Sequence, residues 1–431
     1  MILESEYKQR RDRITTRLKK NSVVVLFSAT YKTRSNDTEY PYRQDSNFYY
    51  LSGFKEDGSS LVIIKTKKES KTILFVAKKD KLKELWNGKR LGVKQAKKRF
   101  LVDEVYEYSE FETKLKEYMK DSKTLYFDFK LDYSKVKVLK RYAKTLETHK
   151  NIASLIGKMR LIKSKGEIRL IKEAIAITKE AHHKVMSQKK VGLNEYNLQA
   201  EIEYFFKKNG AFSDAYTTIV ASGDNANTLH YISNNKNLTC GDMILIDAGC
   251  EYEYYASDIT RTIPVDGVFS EAQKELYDLV LDTQLAVIKM IKPNIKRTSL
   301  QKRAVELLSK GMLELGILNG SLKKIIKKEK YKKYYPHGIG HWMGLDVHDE
   351  APYIDAKANE IKLQEGMILT IEPGIYCSKN DKSIPKKYRG IGIRIEDDIL
   401  VTKDGFENLS SQIMKFVEDI EAIGCSCNSN Q

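Results

Sequence analysis

Four acidic side chains in the second half of this chain stand in or beside apolar, strand-like runs. They are Asp247 in MILIDAG, Asp258 in SDITRTIPV, Glu372 in MILTIEPGIY and Glu396 in IGIRIEDDILV. A carboxylate in such a run is costly to bury without a partner. Several gathered together repel one another and raise one another's pKa. Bound cations remove both difficulties, so the pattern points to a metal site with catalytic use. His341, in the glycine-rich segment HGIGHWMGLDVHD, completes a set of five.

The spacing supports convergence. Asp247 closes an apolar run and is followed by Ala-Gly, and Asp258 lies eleven residues later. The intervening EYEYYAS is short enough for the chain to reverse and bring both acids to one place. Pro-Gly stops the run that ends in Glu372. Glu396 sits in a strand led by Gly392 and Arg394. Each acid alone reads as a solvated strand end; four with an adjacent histidine-rich turn do not. Of only seven histidines, four are His230, His337, His341 and His348. HGIGH has histidines four apart, but its two glycines argue against a helical zinc motif. A turn presenting imidazoles fits better.

Four carboxylates and one imidazole are mostly hard oxygen donors. They suit a pair of Mn²⁺, Co²⁺, Fe²⁺ or Zn²⁺ ions better than one structural zinc. Two ions roughly 3.5–4 Å apart share a water, lower its pKa towards neutrality and polarise a carbonyl oxygen. The matching reaction class is hydrolysis of an acyl bond. No GxSxG elbow is present, and no cysteine sits in a catalytic-thiol signature. GxGxxG and P-loop patterns are absent too, which argues against nucleotide chemistry.

The chain's 431 residues suggest two or three domains with ample material for large cores. No run approaches the roughly 20 apolar residues of a membrane span. MILESEYKQRRDRI lacks an apolar signal region, so a cytoplasmic location is the expectation, with no membrane partner. Net charge is +17, from 75 Lys+Arg against 58 Asp+Glu, but the excess is spread along the chain. It reads as a solvated lysine surface, and no nucleic-acid partner is expected. The densest stretch, LKKIIKKEKYKKYY (322–335), reads as a surface helix. Five scattered cysteines fit a reducing compartment. Cys425 and Cys427 form a CxC pair in a polar tail.

Residues 1–155 alternate helical and strand patterns and read as an α/β domain. Helices are expected at 4–20, 109–120 and 133–148, and strands at VVVLFSA, FYYLSGF, LVIIKT, TILFVAK and TLYFDF. A second domain, 156–418, opens with an amphipathic helix at 166–188, where Ile168, Leu170, Ile171, Ala174, Ile175 and Val185 form the stripe. Further helices are expected at 193–208, 270–291 and 298–315. Strands around paired helices indicate α+β rather than a doubly wound parallel sheet. Residues 419–431 read as a polar, unstructured tail.

At these motifs the chain resembles the pita-bread metallopeptidases, the superfamily of methionine aminopeptidase, prolidase and aminopeptidase P. The matching elements are DAG (247–249), DITRT (258–262), HGIGHWMGLDVHD (337–349), EPGIY (372–376) and RIEDD (394–398). Their order and spacing agree across roughly 160–415. RSNDTEYPYRQDSNFYYLSGF (34–54) and ELWNGKRLG (84–92) resemble the domain that precedes the catalytic domain in aminopeptidase P. The resemblance implies a C-terminal pita-bread (creatinase/aminopeptidase) fold behind an α/β N-terminal domain. It also implies a proline-specific aminopeptidase that releases the first residue of a peptide with proline second, by attack of a metal-bridging hydroxide.

By position, Asp247 and Asp258 would bind one metal, and Asp258, His341, Glu372 and Glu396 the other. The family commonly uses two Mn²⁺ ions; Co²⁺, Zn²⁺ or Fe²⁺ would also suit the ligands. Glu372 would act as general base, and His230 would contact the substrate and move protons. His348 would stabilise the oxyanion and His337 would shape the proline subsite. Tyr376 and Arg394 would hold the ligands and line the site. The family's N-terminal domain mediates oligomer contacts, so a homodimer or homotetramer is implied. Asp37, Arg43 and Trp86 lie in its motifs, with simple packing an equal explanation. The main alternative is a prolidase acting on Xaa-Pro dipeptides. A non-catalytic relative is disfavoured because all five ligand positions are intact.

Overall fold

The computed structural model describes residues 2–143 and 146–425. The chain divides into two compact units, Met1–Met159 and Arg160–Gln431.

The first unit is built on a six-stranded mixed sheet. Its order is Glu104–Glu107, Ser70–Val76, Ser60–Lys65, Ser22–Phe27, Thr124–Phe127, Thr148–Asn151. The two pairings among 22–27, 60–65 and 70–76 are antiparallel, and the outer strands join in parallel. Alternate residues Val23, Val25 and Phe27, with Ile73 and Phe75, face one core completed by Phe111, Leu115 and Met119 of the helix Phe111–Lys120.

Two expectations fail here. FYYLSGF is not a strand: Ser46–Ser52 is a helix. Its aromatic content favours strand, but its ends decide. The Asp45 side chain accepts from Phe48 N at 2.8 Å, and Gly53 closes the helix at φ +68°. The helix expected at 133–148 stops at Tyr142, and Thr148–Asn151 becomes an edge strand. Trp86 is 80% exposed on the short helix Lys81–Asn87, so core packing does not explain it.

The second unit pairs helices with short antiparallel strands, as α+β predicts. The helix Lys165–Ser187 starts at a capping box between Ser164 and Glu167. It buries Leu170, Ile171, Ala174, Ile175, Ala181 and Val185. The helices Glu195–Lys208, Glu271–Ile288 and Arg297–Glu314 follow. One sheet joins Ile219–Ser222, Met243–Asp247 and Thr260–Pro264; another joins Ile368–Ile371, Asp397–Val401 and Phe406–Asn408. A ribbon pairs Gly374–Cys377 with Ile391–Arg394.

Gln284 of a core helix ties two of these groups, donating to the carbonyls of Ile371 at 3.2 Å and Ile395 at 3.1 Å. Buried Arg261 donates to the carbonyl of Glu396 at 2.6 Å and to Asp397 Oδ1 at 2.7 Å. Strand ends that sequence separates by more than a hundred residues are thereby fixed side by side.

The lysine-rich stretch is not one helix. Leu322–Lys327 is helical, Glu329 turns left-handed at φ +50°, and Lys330–Lys333 is a single 3-10 turn. Ile325, Tyr331, Tyr334 and Tyr335 are buried while the lysines stay exposed. Residues 419–425, expected in the tail, end a helix, Val417–Cys425, because Val417 and Ile420 pack into the main core. Cys427 lies outside the described residues. No described helix is long and apolar enough to cross a membrane.

Candidate metal centre

Register brings the acids together. Across the antiparallel pair, Asp247 faces Thr260, two residues beyond Asp258. Glu396 N donates to Thr260 O at 3.0 Å, which seats the fourth acid on the same strand. Two hydrogen bonds dock the glycine-rich turn onto the strand that precedes Glu372. Thr370 N donates to His341 O at 2.9 Å, and His341 N to Thr370 Oγ1 at 3.1 Å. Gly340 is required in that turn, because a Cβ there would sit 1.9 Å from Thr370 O. Gly249 is required after Asp247 for the same reason: its Cβ would lie 1.9 Å from Ser257 O.

The result is a cleft of ≈ 570 Å³ whose walls include all five expected ligands and His230, His337, His348 and Arg394. One donor atom each from Asp258, His341 and Glu396 lie within 4.8 Å of one another. His341 Nε2 is 3.2 Å from Asp258 Oδ2 and 3.8 Å from Glu372 Oε1. Its Nδ1 lies 3.1 Å from Trp342 O. That carbonyl can only accept, so Nδ1 carries a proton and Nε2 faces the acids. Asp247 is held differently, with Oδ2 taking Arg394 Nη2 and Oδ1 taking Tyr216 Oη, both at 2.6 Å. Tyr376 stands behind the wall, its hydroxyl 2.8 Å from His337 Nε2 and receiving Arg394 Nη1 at 2.9 Å.

The electrostatics are those of crowded acids. Burial, then repulsion from Asp258, Glu372 and Asp247, lifts Glu396 well above the usual carboxylate range. Burial lifts Glu372 to about 7, against the pull of His341 and Arg394. Burial also raises Asp247 despite its ion pair with Arg394. Burial alone would lower His341, but the Asp258 hydrogen bond and the charges of Asp258 and Glu372 bring it to about 9. His337 is pushed down to about 4 by burial and by Arg394. A hard divalent cation relieves this frustration, and the oxygen-rich donor set with one imidazole fits it.

Three participants escaped the sequence reading. Tyr216, in DAYTT, carries no motif that singles it out. Thr260 lies inside DITRT; its hydroxyl bonds Glu396 Oε2 at 2.7 Å and lies 3.2 Å from Arg394 Nε. Asp398 accepts from Asp258 N at 3.1 Å, and only its place beside Glu396 hinted at this. Ile219, Leu229, Ile232 and Val347 add apolar wall to the cleft.

Comparisons with known proteins give the chain's family. Residues 169–403 match metallopeptidase family M24, and residues 7–126 match the aminopeptidase P N-terminal domain. The chain is 40% identical to the Xaa-Pro aminopeptidase of Haemophilus influenzae, covering 97% of this chain and 96% of that one. It superposes on Escherichia coli aminopeptidase P with the inhibitor Pro-Leu at a TM-score of 0.95 and 36% identity, covering all of both chains. Zinc-substituted E. coli aminopeptidase P in complex with product gives 0.95 and 36%, with 99% of each chain covered.

Proposed function

From the premise that the chain belongs to metallopeptidase family M24, with an aminopeptidase P N-terminal domain before the catalytic one, we propose that it is an Xaa-Pro aminopeptidase. It is a metal-dependent hydrolase of peptides. In this reading it frees the first residue of a peptide whose second residue is proline. The observation that carries the reading is one cleft. Its floor gathers Asp258, His341 and Glu396, and its walls add Asp247, Glu372 and three further histidines.

The divalent cofactor would be two ions, Mn²⁺ foremost, held by Asp247, Asp258, His341, Glu372 and Glu396. When bound, they supply Lewis acidity and a water of lowered pKa. Glu372 would take the proton of the attacking water on its carboxylate, which lines the cleft beside His341. His230 contacts the peptide and passes protons near the scissile amide. His348, beside His341 at a ring separation of 4.1 Å, stabilises the oxyanion. His337, held neutral and fixed by Tyr376, shapes the proline subsite. Proline offers no N–H, so that subsite needs shape rather than an acceptor. Arg394 holds Asp247 and Tyr376 in place. The exposed Leu82, Leu85 and Trp86 suit a homo-oligomeric contact through the first unit.

Turnover of Xaa-Pro and Xaa-Pro-Xaa peptides, after chelation and re-addition of each metal, tests the reading. Cleavage of the tripeptide restored by metal is expected. Good dipeptide turnover without tripeptide cleavage would make the protein a prolidase instead.

A further inference from the structure

His230 is exposed on the loop 223–236, between the strands Ile219–Ser222 and Met243–Asp247, and has no hydrogen-bond partner among the described residues. Its position in the cleft is therefore set by the backbone that carries it. One side chain grips that backbone. Glu195, the first residue of the helix Glu195–Lys208, is fully buried. Its Oε1 accepts from Ser222 N at 2.7 Å, Ser222 Oγ at 2.7 Å and Asn225 Nδ2 at 3.0 Å. Its Oε2 accepts from Tyr231 Oη and Lys236 N, both at 2.9 Å. Its own N donates to Lys236 O at 2.9 Å.

The carboxylate thus holds the start of the loop, its end, and the residue next to His230. The helix holds the loop's far side as well: Asn234 Nδ2 donates to Gln199 Oε1 at 2.8 Å. Glu195 is not part of the cleft wall. Five donors on one buried carboxylate exceed what capping the helix requires, and the two from buried Ser222 would be costly to leave unmade.

We propose that Glu195 is a positioning residue for the reaction: it sets where His230 stands against the peptide. This rests on the role given to His230 above. Glu195→Gln tests it with little change of volume. Whichever oxygen becomes the amide meets at least one backbone N–H, so donor confronts donor on one side of the loop. Misplacement of this kind lowers kcat/KM on Xaa-Pro peptides on the order of tenfold. In a His230→Ala background the same substitution has less than about a twofold effect, because the group it positions is gone. Tyr231→Phe, which removes one donor, acts in the same direction by less.

An equal loss in both backgrounds, or none in either, overturns the proposal. Amide exchange needs no activity. In Glu195→Gln it rises across 223–236 while Met243–Asp247 stays protected; an unchanged loop overturns the proposal too. Failure of the wild-type chain to cleave Xaa-Pro peptides would reject the functional reading, and exchange alone would then decide whether Glu195 holds the loop.

Discussion

Arg394 donates from Nη2 to Asp247 Oδ2 at 2.6 Å, with both side chains nearly shut off from solvent. Its Nη1 simultaneously holds the Tyr376 hydroxyl. The planar fork spans two partners as a point charge cannot. Arg394→Lys is predicted to lower metal affinity about 10- to 100-fold, measured by calorimetric titration. Unchanged affinity would show that Asp247 needs no such support.

Removing the proposed base separates chemistry from binding. Glu372→Gln is expected to lower kcat by on the order of 10²–10⁴. Activity that survives both Glu372→Ala and chelation would sink the metal mechanism.

Without metal, the centre should make stability fall as pH rises. Glu372 sits at about 7 in the folded chain, above its unfolded carboxylate value, so the fold loses stability as Glu372 ionises. His341, raised to about 9, gives stability that is full below its unfolded value and lost as pH climbs through 9. Both act with the same sign. Bound cations take over from these protons, and metal binding strengthens as the ligands deprotonate. The gap between metal-loaded and metal-free melting temperatures is therefore predicted to widen from about pH 6 to about pH 8.5. A constant gap would contradict this.

Asp349, adjacent to His348, is buried with Arg160 and Lys163; Lys163 Nζ lies 3.2 Å from its Oδ2. Burial alone would raise its pKa, but the two cations hold it below the usual value. Its contribution is thus present above the unfolded value and lost as pH falls through the folded one. Asp349→Asn leaves two buried cations short of a counter-charge and should cost about 3–5 kcal/mol near neutrality. Urea unfolding followed in the second unit measures this; a loss under about 1 kcal/mol would place the pair among weak ones.

Gly340→Ala forces a methyl group against the Thr370 carbonyl. Relief requires prising the turn from the strand that positions Glu372. Metal affinity is predicted to fall together with thermal stability. Full metal binding in a stable Gly340→Ala protein would refute the close approach.

The sequence displayed the site well because buried charge is conspicuous among apolar residues. Asp247, Asp258, Glu372 and Glu396 break hydrophobic runs, and the glycines of HGIGH announce a tight turn. All five expected ligands line one cleft. Tyr216 and Glu195 were invisible for the opposite reason. A tyrosine among polar residues and an acid in a first helical turn each satisfy a local rule that hides a distant partner. In the first unit, caps at Asp45 and Gly53 overrode the strand propensity of FYYLSGF. In the lysine-rich stretch, the pull of Tyr331, Tyr334 and Tyr335 into the core outweighed helical spacing.

The pairing of Asp247 with Thr260 and of Ile371 with Asp397 makes the centre a proofreader of assembly. A slip of one residue in either ladder turns its side chains to the opposite face, and the donor atoms then no longer meet. A mispaired molecule can be compact and still bind no cation. Metal uptake by a preparation therefore counts the molecules whose strands found their proper partners.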